Sequence, residues 1–370
     1  MRFLTSLGMI SRISNSEGDA TDQWPFDALD LSNVQAFVKR GLSNATFVSE
    51  PLEIYAQYND GPDRRTTVRF ATDDPKHLTV VVKLNQFPFL SGSPAAHRLV
   101  DACSPGRVPN ILAIEEDAEG SLILFEVFDG TSIEKQNALT PVLEVATTLG
   151  KIQRGCSDES AKAKGLQAIE LSDFTGLFQM CVANIGEHSH AWEADDGKLH
   201  RAMGCPGPEV LNKLHSFGKD MDNWVTALDE SRIDLSIEHG DCHAGNAVKL
   251  IDGSILIFDW ENACRTHPFL SAEKLLTSGW AFDSGTSGGP WGYVRNTPSQ
   301  DQMKTRYLAE FGGPNTRLSR AFDAAMCIAV IKEMHHEMEW AGLCGWKDLN
   351  PEWTAQLVNR LTHHSSYFKN

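Results

Sequence analysis

The sequence lacks any pair of cysteines spaced as C-x-x-C, although it contains eight cysteines in 370 residues. They are scattered singly along the chain, at Cys103, Cys156, Cys181, Cys205, Cys242, Cys264, Cys327 and Cys344. A disulfide framework is therefore not expected, and the pattern favours a reducing compartment. We predict a cytoplasmic protein on this basis.

Positive charge is scarce as well. Lys and Arg total 33 against 49 Asp and Glu, which gives a formal net charge of −16. Nucleic acids and anionic membrane surfaces are usually bound through basic patches. The charge balance therefore argues against both partners, and it is compatible with a cationic small-molecule substrate. It carries no information on the oligomeric state.

Long hydrophobic runs are also missing. No stretch of about 18 apolar residues occurs, so no membrane-spanning helix is expected. Residues 1–24 are predicted to form a disordered leader, because Thr5, Ser6 and Gly8 interrupt the apolar start of the chain. The content of 41% hydrophobic and 22% charged residues is ordinary for a globular protein. The length allows two or three domains.

The most informative part of the sequence consists of two short blocks. Residues 238–246 read E-H-G-D-C-H-A-G-N, and residues 255–261 read I-L-I-F-D-W-E. Between them, Asp252-Gly253 is a strong signal for a β-hairpin turn. The hairpin would return the chain on itself, so that the residues just before it and just after it emerge on the same side.

Three side chains with oxygen atoms are then expected to converge: Asp241, Asn246 and Asp259. Carboxylate and amide oxygens suit Mg²⁺, which takes one or two carboxylates together with substrate phosphates. Asp241 and Asn246 are five positions apart, as in the kinase catalytic loop H-R-D-x-x-x-x-N. In that template the Asp accepts the substrate hydroxyl proton, the Asn holds a metal, and a later Asp holds the metals that bridge the phosphates.

Two other readings of this block stay open on the residues alone. His239, Asp241, Cys242 and His243 could form a zinc cluster, but ligands this crowded rarely complete a tetrahedron, and the sequence has no second Cys/His cluster at zinc spacing. The block could also be an ordinary polar turn between strands. The combination of H-G-D, the hairpin and D-W-E disfavours both.

The two blocks resemble the signature of the aminoglycoside phosphotransferase and choline kinase-like family. That signature is H-G-D-x-H-x-x-N followed by a hydrophobic strand and D-W-E, and it is matched here from His239 to Asn246 and from Asp259 to Glu261. The resemblance is strong over residues 236–270 and weaker over the rest of 30–345.

The resemblance implies an α+β, protein-kinase-like bilobal fold. A small N-lobe with a five-stranded antiparallel sheet and a helix would occupy residues 25–130. A larger, mostly helical C-lobe would occupy residues 131–370 and carry the catalytic loop 238–246 and the metal-binding strand end 255–261. Strand-like runs at 46–58, 66–71, 78–84, 108–114 and 121–130 agree with this sheet.

The resemblance also implies the site and its cofactors, ATP and Mg²⁺. Asp241 would be catalytic, and His239 would shape the loop by hydrogen bonding. Asn246 and Asp259 would hold the metal, with Glu261 as a further, water-mediated contact to it.

The nucleotide would be bound by four residues of the N-lobe. Lys83 lies in the third strand-like run and resembles the kinase lysine that contacts the phosphates. Gly61 lies in a loop, 59–65, that would cover the phosphates. Glu126 and Val127 would present a carbonyl and an amide to the adenine. Kinases pair the strand lysine with a Glu on the following helix, but the segment 93–103 contains no Glu.

Two further features lie later in the chain. One is a second departure from the family pattern, after the missing Glu, and the other is a candidate substrate surface. Ser271 stands where an Asp is common. Glu333, Glu337 and Trp340 fall within one helical segment and could form an acidic wall for a cationic substrate, although the pattern by itself favours an ordinary solvated helix face.

The predicted function is transfer of the γ-phosphoryl group of ATP to a hydroxyl of a small molecule, such as an aminoglycoside or an amino alcohol. The alternative is a nucleotide-binding pseudokinase that acts as a regulatory or interaction protein. A protein kinase fits less well, because only about ten residues separate Asp259 from the next helix, which is short for a peptide-docking segment.

Overall fold

A computed structural model of the chain describes residues 31–58, 65–86, 92–117, 120–136, 138–188, 207–277, 298–343 and 351–368. The chain divides into two compact units. The first lies within Met1–Pro141, Ala163–Leu166 and Ala244–Asn262. The second lies within Val142–Lys162, Gln167–His243 and Ala263–Asn370.

The helices and strands are named here in chain order. Up to residue 160 they are α1 (Leu31–Gly41), β1 (Glu53–Tyr58), β2 (Arg65–Ala71), β3 (Thr79–Gln86), α2 (Ser93–Cys103), β4 (Ile111–Glu116), β5 (Gly120–Glu126), β6 (Gly130–Ser132), α3 (Ile133–Gln136) and α4 (Leu139–Ser160). The later ones are α5 (Asp173–His188), α6 (Gly207–Phe217), α7 (Met221–Glu230), β7 (Ser236–Glu238), β8 (Ala247–Leu250), β9 (Ile255–Ile257), β10 (Cys264–Thr266), α8 (Ala272–Thr277), α9 (Pro298–Ala309), α10 (Thr316–Leu343) and α11 (Pro351–Phe368).

The first unit contains a five-stranded antiparallel sheet in the order β1-β2-β3-β5-β4. Alternate residues of a strand point to opposite faces of its sheet. On β3, Val80, Val82 and Leu84 join the apolar core that includes Phe37 of α1. Lys83 belongs to the other set of alternate positions. The predicted fold class, with its five-stranded antiparallel sheet and helical C-terminal part, is confirmed.

The first strand is shorter than the run of residues 46–58 predicted. It begins at Glu53, and before it only Val48 makes an isolated bridge, to Thr72. Proline lacks the N–H needed for a ladder hydrogen bond, and Pro51 lies just ahead of the strand. Side-chain hydrogen bonds replace the ladder further upstream, where Asp73 accepts from the backbone N–H of Thr46 at 2.8 Å.

The predicted hairpin is present as β8 and β9, and β6 pairs with the other edge of β8. Its connection comprises residues 251–254, longer than the two-residue turn that the Asp-Gly pair suggests. Gly253 has φ 87°, a left-handed conformation that glycine adopts without strain. Asp252 accepts a hydrogen bond from the backbone N–H of Ser254 at 2.9 Å. Turn chemistry at these positions thus fixes where the chain reverses.

The second unit is mostly helical. Helix α10 packs against α5, α7 and α11, and the large side chains of Trp224 and Phe322 are fully buried there. Strands β7 and β10 pair in a small antiparallel sheet, and the signature lies in the chain between them, beginning at the end of β7. Among the described residues, no helix is both long enough and apolar enough to cross a membrane.

Candidate active site

Asp259 lies two residues after the end of the buried hydrophobic strand β9 and adopts an uncommon backbone conformation, with φ 74°. A left-handed conformation in a residue other than glycine costs about 1–3 kcal/mol and persists only where its surroundings enforce it. The buried indole of Trp260 is one such constraint, because its Nε1 donates a hydrogen bond to the carbonyl oxygen of Ile257 at 3.1 Å. The backbone at Asp259 is therefore held in place by its neighbours.

Asn246 lies at the same end of the hairpin as Asp259. The backbone N–H of Phe258 donates to the carbonyl oxygen of Asn246 at 3.0 Å, which extends the β8–β9 ladder by one step. Asn246 is buried in a short 3₁₀ turn. An amide oxygen and a carboxylate at one end of a hairpin are ligands suited to Mg²⁺, so this donor set fits the implied metal.

Lys83 lies in the middle of β3, opposite Thr67 on one side and Ile123 on the other. Its ammonium group contacts the carboxylates of both Asp259 and Glu261. The side chain of Lys83 is 11% exposed, that of Asp259 29% and that of Glu261 1%. The first unit thus brings the predicted phosphate-binding lysine, one predicted metal ligand and Glu261 into direct contact.

Helix α2, which follows the lysine strand, contains no Glu, as the sequence shows, and its buried face is largely apolar. It packs against the 3₁₀ turn Trp260–Asn262, which carries Glu261. Its His97 lies against the ring of Phe125, with the ring centres 5.3 Å apart. The helix therefore contributes packing to this region, and the carboxylates on Lys83 come from elsewhere.

Glu126 ends strand β5, and its side chain already has a partner within the first unit. Its Oε2 accepts from Nδ2 of Asn110 at 2.9 Å, and its backbone N–H donates to the Asn110 carbonyl oxygen at 3.0 Å. Val127 packs at the edge of a small apolar cluster with Val81 and Phe125. Their predicted contacts to adenine stay a prediction.

In the second unit, hydrogen bonds among its own polar groups hold the loop after β7 in place. Gly240 has φ 78° and donates its backbone N–H to Oε1 of Glu238 at 2.8 Å. The backbone N–H of Asp241 donates to Nδ1 of His239 at 3.3 Å. His239 itself is fully buried, and its backbone N–H donates to Oγ of Ser271 at 2.9 Å. Ser271, where the family pattern has an Asp, therefore helps to anchor the loop.

The carboxylate of Asp241 is held by a lysine that the sequence did not single out. Oδ1 of Asp241 accepts from Nζ of Lys274 at 2.9 Å, and Nε2 of His243 lies 3.7 Å from Oδ2. Burial by itself would raise the pKa of Asp241, but the positive charges of Lys274 and His243 outweigh burial and hold it below its ordinary value. Asp241 is therefore ionised at neutral pH.

Lys274 connects Asp241 to a chain of buried charges. Its Nζ lies 3.6 Å from Oε1 of Glu333, whose Oε2 lies 2.7 Å from Nη1 of Arg360. Arg360 also pairs with Glu273, which accepts from Nε2 of His364 at 2.8 Å. Burial lowers the pKa of Lys274, but the carboxylates of Asp241 and Glu333 raise it more, above its usual value.

The three residues predicted to form an acidic wall all lie on α10, at spacings of four and three residues that place them on one side of a helix. Glu333 is 9% exposed, and its charge is balanced by Lys274 and Arg360. Burial, together with the negative charge of Glu333, raises the pKa of Glu337 to about 7. Trp340 is partly exposed.

The sequence reasoning missed Lys274, Arg360 and His364. Lys274 lies only three residues after Ser271, so its position next to the signature was a usable signal. Arg360 and His364 belong to α11, which carries no motif. Of the predicted site, Gly61 and most of its loop lie outside the described residues, as does the expected leader 1–24. Within the described ranges, no group of three or more His, Cys, Asp or Glu is arranged to hold a metal ion.

The sequence profile of the phosphotransferase enzyme family matches residues 56–287, which is more than half of the chain. This span includes Lys83 and both blocks of the signature. A search of the curated proteins finds no match.

Three solved structures are similar in fold. A choline kinase from Cryptosporidium parvum Iowa II has a TM-score of 0.58 at 12% identity, over 92% of this chain and 96% of that one. An ethanolamine kinase from Plasmodium vivax has a TM-score of 0.51 at 11% identity, over 82% and 80%. A macrolide 2′-phosphotransferase from Brachybacterium faecium has a TM-score of 0.50 at 15% identity, over 89% and 98%. At these identities the likeness is one of fold.

Proposed function

The chain belongs to the phosphotransferase enzyme family, and from that premise we propose that it transfers the γ-phosphoryl group of ATP to a hydroxyl group of a small molecule. The observation that carries the proposal is the arrangement in the first unit. Asn246 and Asp259 lie at one end of the hairpin, and the ammonium group of Lys83 contacts Asp259. An oxygen donor set beside a buried cation suits a metal-bound polyphosphate.

Each residue has a proposed role in the transfer. Lys83 steadies the phosphates, and Asn246 and Asp259 would hold Mg²⁺, which when bound would neutralise charge on the phosphates. Asp241 orients the acceptor hydroxyl and accepts its proton. The bond from the hydroxyl oxygen to the γ-phosphorus forms while the bond to the β–γ bridging oxygen breaks, and ADP leaves.

The ion pair and the lowered pKa of Asp241 favour a role in orienting the acceptor hydroxyl over a role as a strong base. Its carboxylate is paired with Lys274 at 2.9 Å, and its lowered pKa makes it a weak base. In phosphoryl transfer most of the acceleration comes from positioning and charge neutralisation, so a weak base at this position is sufficient. His239 contributes by accepting a hydrogen bond from the Asp241 backbone.

A cationic alcohol is the acceptor class that we propose. The chain has a net charge of −16, and Glu337 and Trp340, three residues apart, place a carboxyl group and an aromatic ring on one side of α10. Such a pair suits an ammonium group. Glu333 would add little to the binding of a cation, because Lys274 and Arg360 already balance its charge. Choline and ethanolamine, which appear in the names of two similar structures, are alcohols of this kind.

The first test is ATP consumption with a panel of amino alcohols and aminoglycosides, for the native chain and for Asp241→Asn. We expect turnover in the native chain and a loss of roughly 10²–10⁴-fold in the variant, the usual worth of a positioned acid–base group. Asp158→Asn, on the exposed side of α4, is the control and should leave turnover unchanged. Near-normal activity of Asp241→Asn would remove Asp241 from the mechanism.

The pairing of Asp241 with Lys274 also favours a second candidate, a nucleotide-binding pseudokinase. A carboxylate held by a lysine at 2.9 Å is a poor base, and α2 lacks the usual Glu. The two functions separate in one comparison. An ATP-dependent rise in melting temperature without ATP consumption, for every acceptor in the panel, would favour the pseudokinase.

A further inference from the structure

We propose that Glu261 is the positioning residue for Lys83, and that it supplies the carboxylate that kinases place on the helix after the lysine strand. The proposal rests on the proposed function in so far as Lys83 binds phosphates. It assigns to Glu261 a contact with the lysine in place of the contact with the metal that the signature suggested.

Burial distinguishes the two carboxylates that contact Lys83. The side chain of Glu261 is 1% exposed, whereas that of Asp259 is 29% exposed. An ionised carboxylate that is removed from water needs a cation beside it. Glu261 therefore depends on the ammonium group of Lys83, while Asp259 keeps a face to solvent from which a ligand can approach.

The packing of α2 explains how this arrangement replaces the usual one. The helix lies against the turn Trp260–Asn262, so the turn that carries Glu261 occupies the neighbourhood of the helix that lacks a Glu. The residues of α2 that are buried include Ala95, Ala96 and Leu99, which offer packing surface but no charge. The carboxylate that contacts Lys83 therefore lies on the turn against which α2 packs, and not on α2 itself.

Glu261 also has the rigidity that a positioning residue requires. The turn is anchored by the buried Trp260, whose Nε1 donates to Ile257 at 3.1 Å. The backbone just before it is constrained at Asp259, with φ 74°. One anchored segment therefore supplies both a metal ligand and, two residues later, the partner of Lys83.

The consequence is specific. Without the charge of Glu261, the ammonium group of Lys83 would lose one of the two carboxylates that contact it, and the lysine would be less well placed for phosphates. Glu261→Gln should weaken ATP binding roughly tenfold or more, because it removes one charge of the buried ion pair that positions Lys83. Because the lost contact is to Lys83, the loss should appear without Mg²⁺ as well as with it.

The experiment is a double-mutant cycle on ATP affinity, measured by calorimetry with Mg²⁺ and with a chelator. It uses the native chain, Glu261→Gln, Lys83→Met and the double variant. We expect Glu261→Gln to add less than about twofold in the Lys83→Met background. Glu261→Asp, which keeps the charge, should recover part of the affinity, and Glu50→Gln, an exposed residue of the first unit, should have no effect. A loss that persists without Lys83, or that needs Mg²⁺, would overturn the proposal.

A second measurement does not depend on nucleotide. Reductive methylation followed by mass spectrometry should find Lys83 protected in the native chain and in Glu50→Gln, and more reactive in Glu261→Gln. Equal reactivity in all three would also overturn the proposal. If the native chain bound no ATP while this difference appeared, the proposed function would fail and the assignment of Glu261 would stand.

Discussion

At the scale of single residues, Lys83 and Asp241 share one feature: each is held by an opposite charge that lies far away in the sequence. Lys83 contacts Asp259 and Glu261, and Asp241 is bound by Lys274 at 2.9 Å. Partly buried ion pairs of this kind fix a side chain in one position, at the cost of desolvating both groups. Positioning is what the proposed chemistry needs from both residues.

A prediction at this scale concerns Lys274→Met. The positive charge of Lys274 opposes the effect of burial on Asp241, so its removal should raise the pKa of Asp241. In the variant, Asp241 would therefore become protonated at a higher pH than in the native chain. The acidic limb of kcat/KM against pH should move upward by about one to three pH units.

The control for this prediction keeps the charge. Lys274→Arg should leave the acidic limb close to its native position, even if the rate falls because the geometry differs. A limb that does not move in Lys274→Met would show that Asp241 is not the group whose ionisation the rate follows.

At the scale of elements, the C-terminal helix α11 is joined to the core of the second unit by buried charges. Arg360 is almost fully buried and pairs with Glu273 on α8 and Glu333 on α10. His364, one turn further along α11, also contacts Glu273. Glu333 in turn contacts Lys274, so α11 supports the element that holds Asp241.

Arg360→Met should therefore be strongly destabilising. It leaves two buried carboxylates without their guanidinium partner, and breaking a buried pair in this way costs about 3–5 kcal/mol. The measurement is urea unfolding of the native chain and the variant. Arg320→Met is the matched control, because Arg320 pairs with Glu230 on the surface and such pairs contribute about 0–1 kcal/mol. Equal costs for both variants would contradict this account.

At the scale of the whole molecule, a negative net charge and buried carboxylates make stability depend on pH. Burial raises the pKa of Glu337 to about 7 from its ordinary value of 4.5, so the folded chain holds this proton more tightly than the unfolded chain does. The contribution to stability is fully present below about pH 4.5 and is lost as the pH rises through about 7.

Glu337→Gln should remove this dependence. Relative to the variant, the native chain should lose up to about 3 kcal/mol between pH 5 and pH 8. Urea unfolding at the two pH values measures the difference, and Glu50→Gln, at an exposed position, should behave like the native chain. A native chain that gains stability relative to Glu337→Gln across this range would reverse the sign and refute the assignment.

The sequence alone was sufficient for the parts of this protein that depend on local patterns. Strand-like runs bounded by turn residues predicted the five strands, with Lys83 in the third, and the Asp-Gly pair predicted the hairpin between Asn246 and Asp259. These succeed because strand periodicity and turn chemistry act over a few residues. The signature predicted the family, because its residue types are set by chemistry at fixed spacings.

Only the tertiary structure decided which charges meet. Nothing in the spacing pairs Lys83 with Glu261 or Asp241 with Lys274, and nothing in α10 shows that Glu333 is already neutralised by Arg360. Such pairs join elements that are distant in the chain, so they depend on how helices and strands pack. The strand boundary at Glu53 is a smaller case: the regular ladder ends there beside Pro51, and further upstream the side chain of Asp73 holds the backbone of Thr46. Local pattern determines the elements, and the packing of those elements determines the state of each ionisable group.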